Sequence, residues 1–93
     1  MKTAITIEYQ AGDLATYVAG PPEWCKWEFK SGKTIQQANE IGISDLLFLA
    51  YNAMKRESAG KPVKPFEVWT ETVSDVRLED LNPKAISAEV LAD

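Results

Sequence analysis

Cys25 is the lone thiol of this 93-residue chain, and its neighbours give it little to react with. A cysteine becomes a nucleophile when a base or a cation lowers its pKa. Here Trp24 and Trp27 flank it, Phe29 stacks on it one helical turn later, and Lys26 is the one adjacent cation. Those surroundings suit a small apolar residue of a core or groove. The chain has no histidine, so the commonest general base and the commonest metal ligand are both missing. One cysteine makes neither an internal disulfide nor a cysteine-based zinc site, and a free thiol suits a reducing cytosol. Ser31-Gly32-Lys33-Thr34 lacks the spaced second glycine of a phosphate-cradling loop. Glu67, Glu71 and Asp75 could do acid–base work only by converging in a cleft. Their i, i+4 spacing instead predicts an acidic ladder on the outer side of a helix, a candidate docking face for a basic partner. The expectation is a protein that is not an enzyme and that carries no cofactor or metal.

The aromatic residues are the more informative excess. Trp24, Trp27 and Phe29 fall within six positions, and Phe66 and Trp69 lie three apart further on. Large aromatics of this kind either anchor a small core or present binding area at low rotamer cost. One short helix cannot turn all of its aromatics inward, so part of the set is expected to line an exposed apolar groove. The physical expectation is a binder of apolar segments.

The elements that must position these residues are legible from periodicity. Ile5, Ile7 and Tyr9 alternate with Ala4, Thr6 and Glu8, which predicts a strand with one buried face. Gln10-Ala11-Gly12-Asp13 is turn chemistry, and Leu14–Val18 returns as a second strand. Pro22 opens a helix that Gly32 stops, and Thr34–Ile41 suggests a short weaker one. Ser44 is the expected cap of the strongest helix, through Arg56, whose wide apolar arc predicts cover on several sides or self-association. Pro65 opens a last helix in which Phe66, Trp69, Val73 and Val76 recur at helical spacing. The result is an α+β domain over residues 1–78, a β-hairpin packed on three to four helices. Residues 79–93 are expected to form an acidic, flexible tail.

Charge and length narrow the partners. The net charge is −4, which disfavours nucleic acid; residues 65–93 hold 7 acidic and 2 basic side chains, so the acidity sits at the C-terminal end. No apolar run reaches the length of a signal peptide core or a membrane span, so a soluble, unexported protein without membrane partners is expected.

Four segments carry a resemblance when taken in order: Ala4–Tyr9 with Leu14–Val18, Trp24–Lys33, Ser44–Arg56 and Phe66–Val76. Within them stand Trp27-Glu28-Phe29-Lys30-Ser31-Gly32-Lys33, Leu46-Leu47-Phe48-Leu49-Ala50-Tyr51-Asn52-Ala53-Met54-Lys55-Arg56 and Phe66-Glu67-Val68-Trp69 followed by Val73, Asp75 and Val76. Together they resemble the tail assembly chaperones of bacteriophages with long non-contractile tails. Tyr51 departs from that pattern, where relatives often carry tryptophan. The resemblance implies a chaperone that binds apolar helical segments of the tape-measure protein and helps recruit tail-tube subunits. It would work in the host cytoplasm and be absent from the mature virion. By position it makes Trp24, Trp27, Phe48, Tyr51, Phe66 and Trp69 the candidate partner-binding residues. It further implies a longer, frameshifted form of the same protein, for which Asn82-Pro83-Lys84 permits a slippery codon run. A homo-oligomer is expected on a different ground, the wide apolar arc of the helix from Ser44 to Arg56. The alternative is a small structural virion protein, a head–tail connector or minor tail component.

Overall fold

The computed structural model describes residues 2–34 and 41–80 and shows a mixed α+β domain. Strands β1 (Thr3–Tyr9) and β2 (Leu14–Ala19) form the expected antiparallel hairpin, with Ile5 opposite Tyr17 and Ile7 opposite Ala15. The Tyr9 N–H donates to the Asp13 carbonyl at 2.8 Å and the Gly12 N–H to the Tyr9 carbonyl at 2.8 Å. Gly12 takes the turn at φ 99°, where a side chain is strained.

Helix α1 (Pro21–Ser31) follows at once, with prolines at its first two positions and Gly32 closing it at φ 75°. Helix α2 (Ile43–Glu57) begins at Gly42, so the expected cap at Ser44 is corrected: Ser44 lies inside the first turn. Both helices start the same way. An acid three residues past the cap glycine accepts the glycine's own N–H, Glu23 from Gly20 at 2.8 Å and Asp45 from Gly42 at 3.0 Å. A glycine cap has no side chain, so this is one half of a capping box, made by the acid alone.

The last expected helix is corrected as well. Helix α3 is short, Phe66–Thr70, and the chain then becomes strand β3 (Val73–Asp80), antiparallel on the free side of β1. The sheet is three-stranded in the order β2-β1-β3, and the described fold runs to Asp80, past the expected boundary at 78. Thr70, Thr72 and Val73 are β-branched and poor helix formers, and β1 has an open edge to fill. The Thr70 and Thr72 hydroxyls donate back to the Glu67 and Trp69 carbonyls at 2.9 and 2.6 Å, and the Thr72 N–H donates to the same Trp69 carbonyl at 2.9 Å, so the chain is tied down where the helix stops. Residues 35–40 of the expected helix Thr34–Ile41, residues 82–84 and most of the expected tail fall outside the described residues.

All three helices cover one face of the sheet. Ile5 and Ile7 are fully buried there, packed with Ala19, Trp24, Trp27, Leu49, Ala50, Tyr51 and Trp69. Burying each isoleucine contributes about 2–3 kcal/mol. The wide apolar arc of α2 is used within the chain, because the sheet lies under it and α1 and α3 flank it. The other sheet face carries a Thr6–Thr16 hydroxyl pair at 2.9 Å and Arg77 at 3.6 Å from both Glu8 and Asp75. No described helix is long and apolar enough to cross a membrane.

Candidate partner-binding site

The six aromatic candidates divide by burial. Trp24, Trp27, Tyr51 and Trp69 are core residues, between 2% and 8% exposed, so in the folded chain they offer little surface to a partner. Phe48 and Phe66 are half-buried. Among the described residues the groove expected from the crowding of Trp24, Trp27 and Phe29 does not form: the two tryptophans turn inward, edge to face at 5.4 Å, and Phe29 is 86% exposed.

Phe48 and Phe66 instead form the open end of a continuous aromatic row. Their centroids lie 6.4 Å apart, with Tyr51 5.3 Å from Phe66 and Trp69 5.4 Å from Tyr51. Tyr9 continues it 6.4 Å beyond Trp69. Three elements position the open end. Helix α2 supplies Phe48, α3 supplies Phe66, and the last turn of α1 brings the Lys30 ammonium to 4.5 Å from the Phe48 centroid and 5.7 Å from the Phe66 centroid. A cation over two ring faces holds them in place and marks the apolar opening with positive charge. Such a site can take an apolar side chain of a partner and favour an acidic neighbour beside it.

The closed end of the row is tied by hydrogen bonds. The Trp69 indole N–H donates to the Tyr9 hydroxyl at 3.2 Å, and the Tyr9 and Tyr17 hydroxyls meet at 2.8 Å. Burial, then the Tyr9 hydroxyl, push the Tyr17 phenol far above its ordinary range. The Tyr51 hydroxyl donates to the Lys64 carbonyl and fastens the 61–64 connector over α2. A cleft of about 630 Å³ opens here, lined by Tyr9, Met54, Val63, Lys64, Trp69 and Glu71. Tyr9→Phe removes the hydroxyl that joins two other polar groups, and we expect it to cost about 1–3 kcal/mol. Urea midpoints of Tyr9→Phe and wild type check this; equal midpoints would mean that the three-residue link adds nothing.

The acidic face is corrected too. Glu67 sits on the first turn of α3, Glu71 caps its end and borders the cleft, and Asp75 lies on β3 beside Arg77. With the helix ending at Thr70, the three carboxylates share no ladder.

Sequence reasoning missed the most buried charge. Glu23 has no exposed side-chain surface, and Arg56 grips it with Nε at 2.7 Å and Nη2 at 2.8 Å. Burial alone raises the Glu23 carboxyl. The Arg56 hydrogen bonds, the Gly20 N–H and the Arg56 charge outweigh it and hold the group below its ordinary value. Asp45 is held down likewise, first by the Gly42 N–H and further by the Trp27 indole N–H at 3.0 Å. The available signal was the repeated glycine-x-x-acid ahead of each apolar run, Gly20 to Glu23 and Gly42 to Asp45. Cys25 is exposed on α1.

A scan against protein-family models, a search of curated proteins and a search of solved structures each give no match to this chain.

Proposed function

We propose that this protein is a tail assembly chaperone of long-tailed bacteriophages, holding apolar helical segments of the tape-measure protein during tail assembly. The observation that carries the reading is the half-buried Phe48–Phe66 pair under Lys30, a preformed apolar seat on a fixed aromatic row. Side chains locked by their neighbours lose little entropy when a partner arrives, which favours binding by a small protein. The ordered segments that resemble the family, Trp24–Lys33, Ser44–Arg56 and Phe66–Val76, support the same reading from the sequence. In this proposal Phe48 and Phe66 contact the partner, while Trp24, Trp27, Tyr51 and Trp69 hold the seat in shape. The acid-rich residues from 65 onward and a frameshifted longer form serve the recruitment of tail-tube subunits.

Co-expression tests the proposal. The wild-type chain is expected to keep the tape-measure protein soluble and then to be missing from purified virions. Phe48→Ala with Phe66→Ala is expected to weaken that binding by about 2 kcal/mol or more while circular dichroism shows the fold retained. Stoichiometric recovery of the chain from mature particles would make it a structural virion component and end the chaperone reading.

A further inference from the structure

The open edge of β3 has a sequence that complements itself. On β1, the Tyr9 N–H points to β2, where it meets Asp13, and the Gln10 N–H points the other way, to Thr72 at 2.7 Å. Alternation along β1 therefore aims Glu8 and Thr6 at β3, where they pair with Asp75 and Arg77. The main-chain groups of Asp75 and Arg77 thus face β1, and those of Val76 and Leu78 face outward. Among the described residues no strand pairs with that edge. Among the described residues the Val76 N–H is met by the neighbouring Asp75 carboxylate, at 2.9 Å.

The side chains divide by face. Asp75 and Arg77 lie on the helix-free face, with Glu8. Val76 and Leu78 lie on the helix-covered face, where Leu78 is 53% exposed and Ile43, at the start of α2, is 66% exposed. A shallow groove of about 170 Å³ lined by Ile43, Leu47, Val73 and Val76 runs along this border.

We propose that β3 is a self-association edge, on which a second copy of this chain pairs its own β3 antiparallel with Val76 opposite Val76. In that register each Asp75 stands across from the partner copy's Arg77, twice over. Direct cross-strand pairs of opposite charge favour a register, and like pairs oppose it. Shifting the partner by two residues sets Arg77 against Arg77, so charge selects between the two alignments. The Asp75 carboxylate exchanges its hold on the Val76 N–H for the opposing guanidinium, and the freed N–H donates to the opposing Val76 carbonyl. The two sheets become one of six strands with all helices on one side, and the border residues Ile43 and Leu78 gain cover. Such an interface is isologous and closes as a dimer. This inference stands independently of the chaperone reading, since it needs only the edge and its charges.

Sedimentation over a concentration series, with complementary charge reversals, tests it. Wild type is expected to move from one chain mass toward two as concentration rises, with amide-exchange protection of Val76 and Leu78 rising in step. Asp75→Lys sets a second cation across from Arg77, and Arg77→Glu sets a second anion across from Asp75. Each variant alone is therefore expected to dimerise at least about tenfold more weakly. Mixed together, the two variants restore both opposite-charge pairs and are expected to form a heterodimer. Circular dichroism on each variant confirms that its fold is retained. A wild-type chain monomeric up to about 1 mM, the scale of the weakest specific associations, overturns the proposal. So does a dimer that both variants form as well as wild type, because the contact then lies elsewhere.

Discussion

Replacing Trp27 by alanine is expected to lower the unfolding free energy by about 3–5 kcal/mol, and Trp69→Ala by a similar amount. Trp27 is 2% exposed, packs edge to face on Trp24 and donates its indole N–H to Asp45, the residue that caps α2. Its loss opens a cavity between α1 and α2 and removes one of the two N–H groups that hold the Asp45 carboxylate. A domain of this length is stable by roughly 5–14 kcal/mol, so about a fifth or more of the total goes with one side chain. Phe29→Ala is the contrast. It lies two residues away on the same helix, is 86% exposed, and should change stability by no more than about 0.5 kcal/mol. Urea midpoints followed by circular dichroism separate the cases. If Trp27→Ala and Phe29→Ala shift the midpoint equally, the core assignment of Trp27 is wrong.

That contrast also shows what periodicity could and could not deliver. The alternation of Ile5 and Ile7 was sufficient for β1, because a strand with one buried face leaves a local signature. The helical stripe through Leu46, Leu49, Ala50 and Ala53 was likewise local, and α2 lies where that stripe predicts. Strand β3 was not legible in the same way. Phe66, Trp69, Val73 and Val76 fit a helix by spacing, whereas the strand answers to β1, far back at the start of the chain, and to the β-branched residues that end α3. The period-two signal of Val76 and Leu78 against Asp75 and Arg77 was present but brief. Burial of individual tryptophans depends on which side of α1 the sheet and α2 occupy, and spacing within α1 carries no record of that. Phe48 and Phe66 kept their place as candidate contacts because both are half-buried, packed on each other between α2 and α3. The Glu23–Arg56 pair joins residues 33 positions apart, beyond any local pattern.

That pair gives the second large effect, and its sign depends on which partner is removed. In the wild-type chain the Glu23 and Asp45 carboxyls lie below their ordinary values of 4.5 and 3.8, so near pH 4 the unfolded chain binds more protons than the folded one. The stability they contribute is complete above those ordinary values and is lost as pH falls through the lowered folded ones. Glu23→Ala should cost about 3 kcal/mol at pH 7, from lost charged hydrogen bonds to Arg56 and the Gly20 N–H left buried without an acceptor. It should also flatten the acid limb of the stability profile.

Arg56→Met does something different, because it strands Glu23. The guanidinium is half exposed, but the carboxylate it serves has no exposed surface. Without Arg56 the burial that already favours the neutral acid loses its main opponent, and the Glu23 carboxyl should rise above its ordinary value. A raised carboxyl contributes stability that is full below the unfolded pKa and is lost as pH rises through the folded one. Arg56→Met should therefore be least stable at neutral pH and regain part of its deficit toward pH 4, while wild type weakens as Glu23 and Asp45 begin to protonate. Adding Glu23→Gln to Arg56→Met removes the stranded charge and should restore stability at pH 7 relative to Arg56→Met alone. Denaturation midpoints for the four chains at pH 4, 5.5 and 7 read all of these effects. An Arg56→Met profile parallel to wild type would show that Glu23 stays ionised without its partner, and that water rather than Arg56 carries its charge.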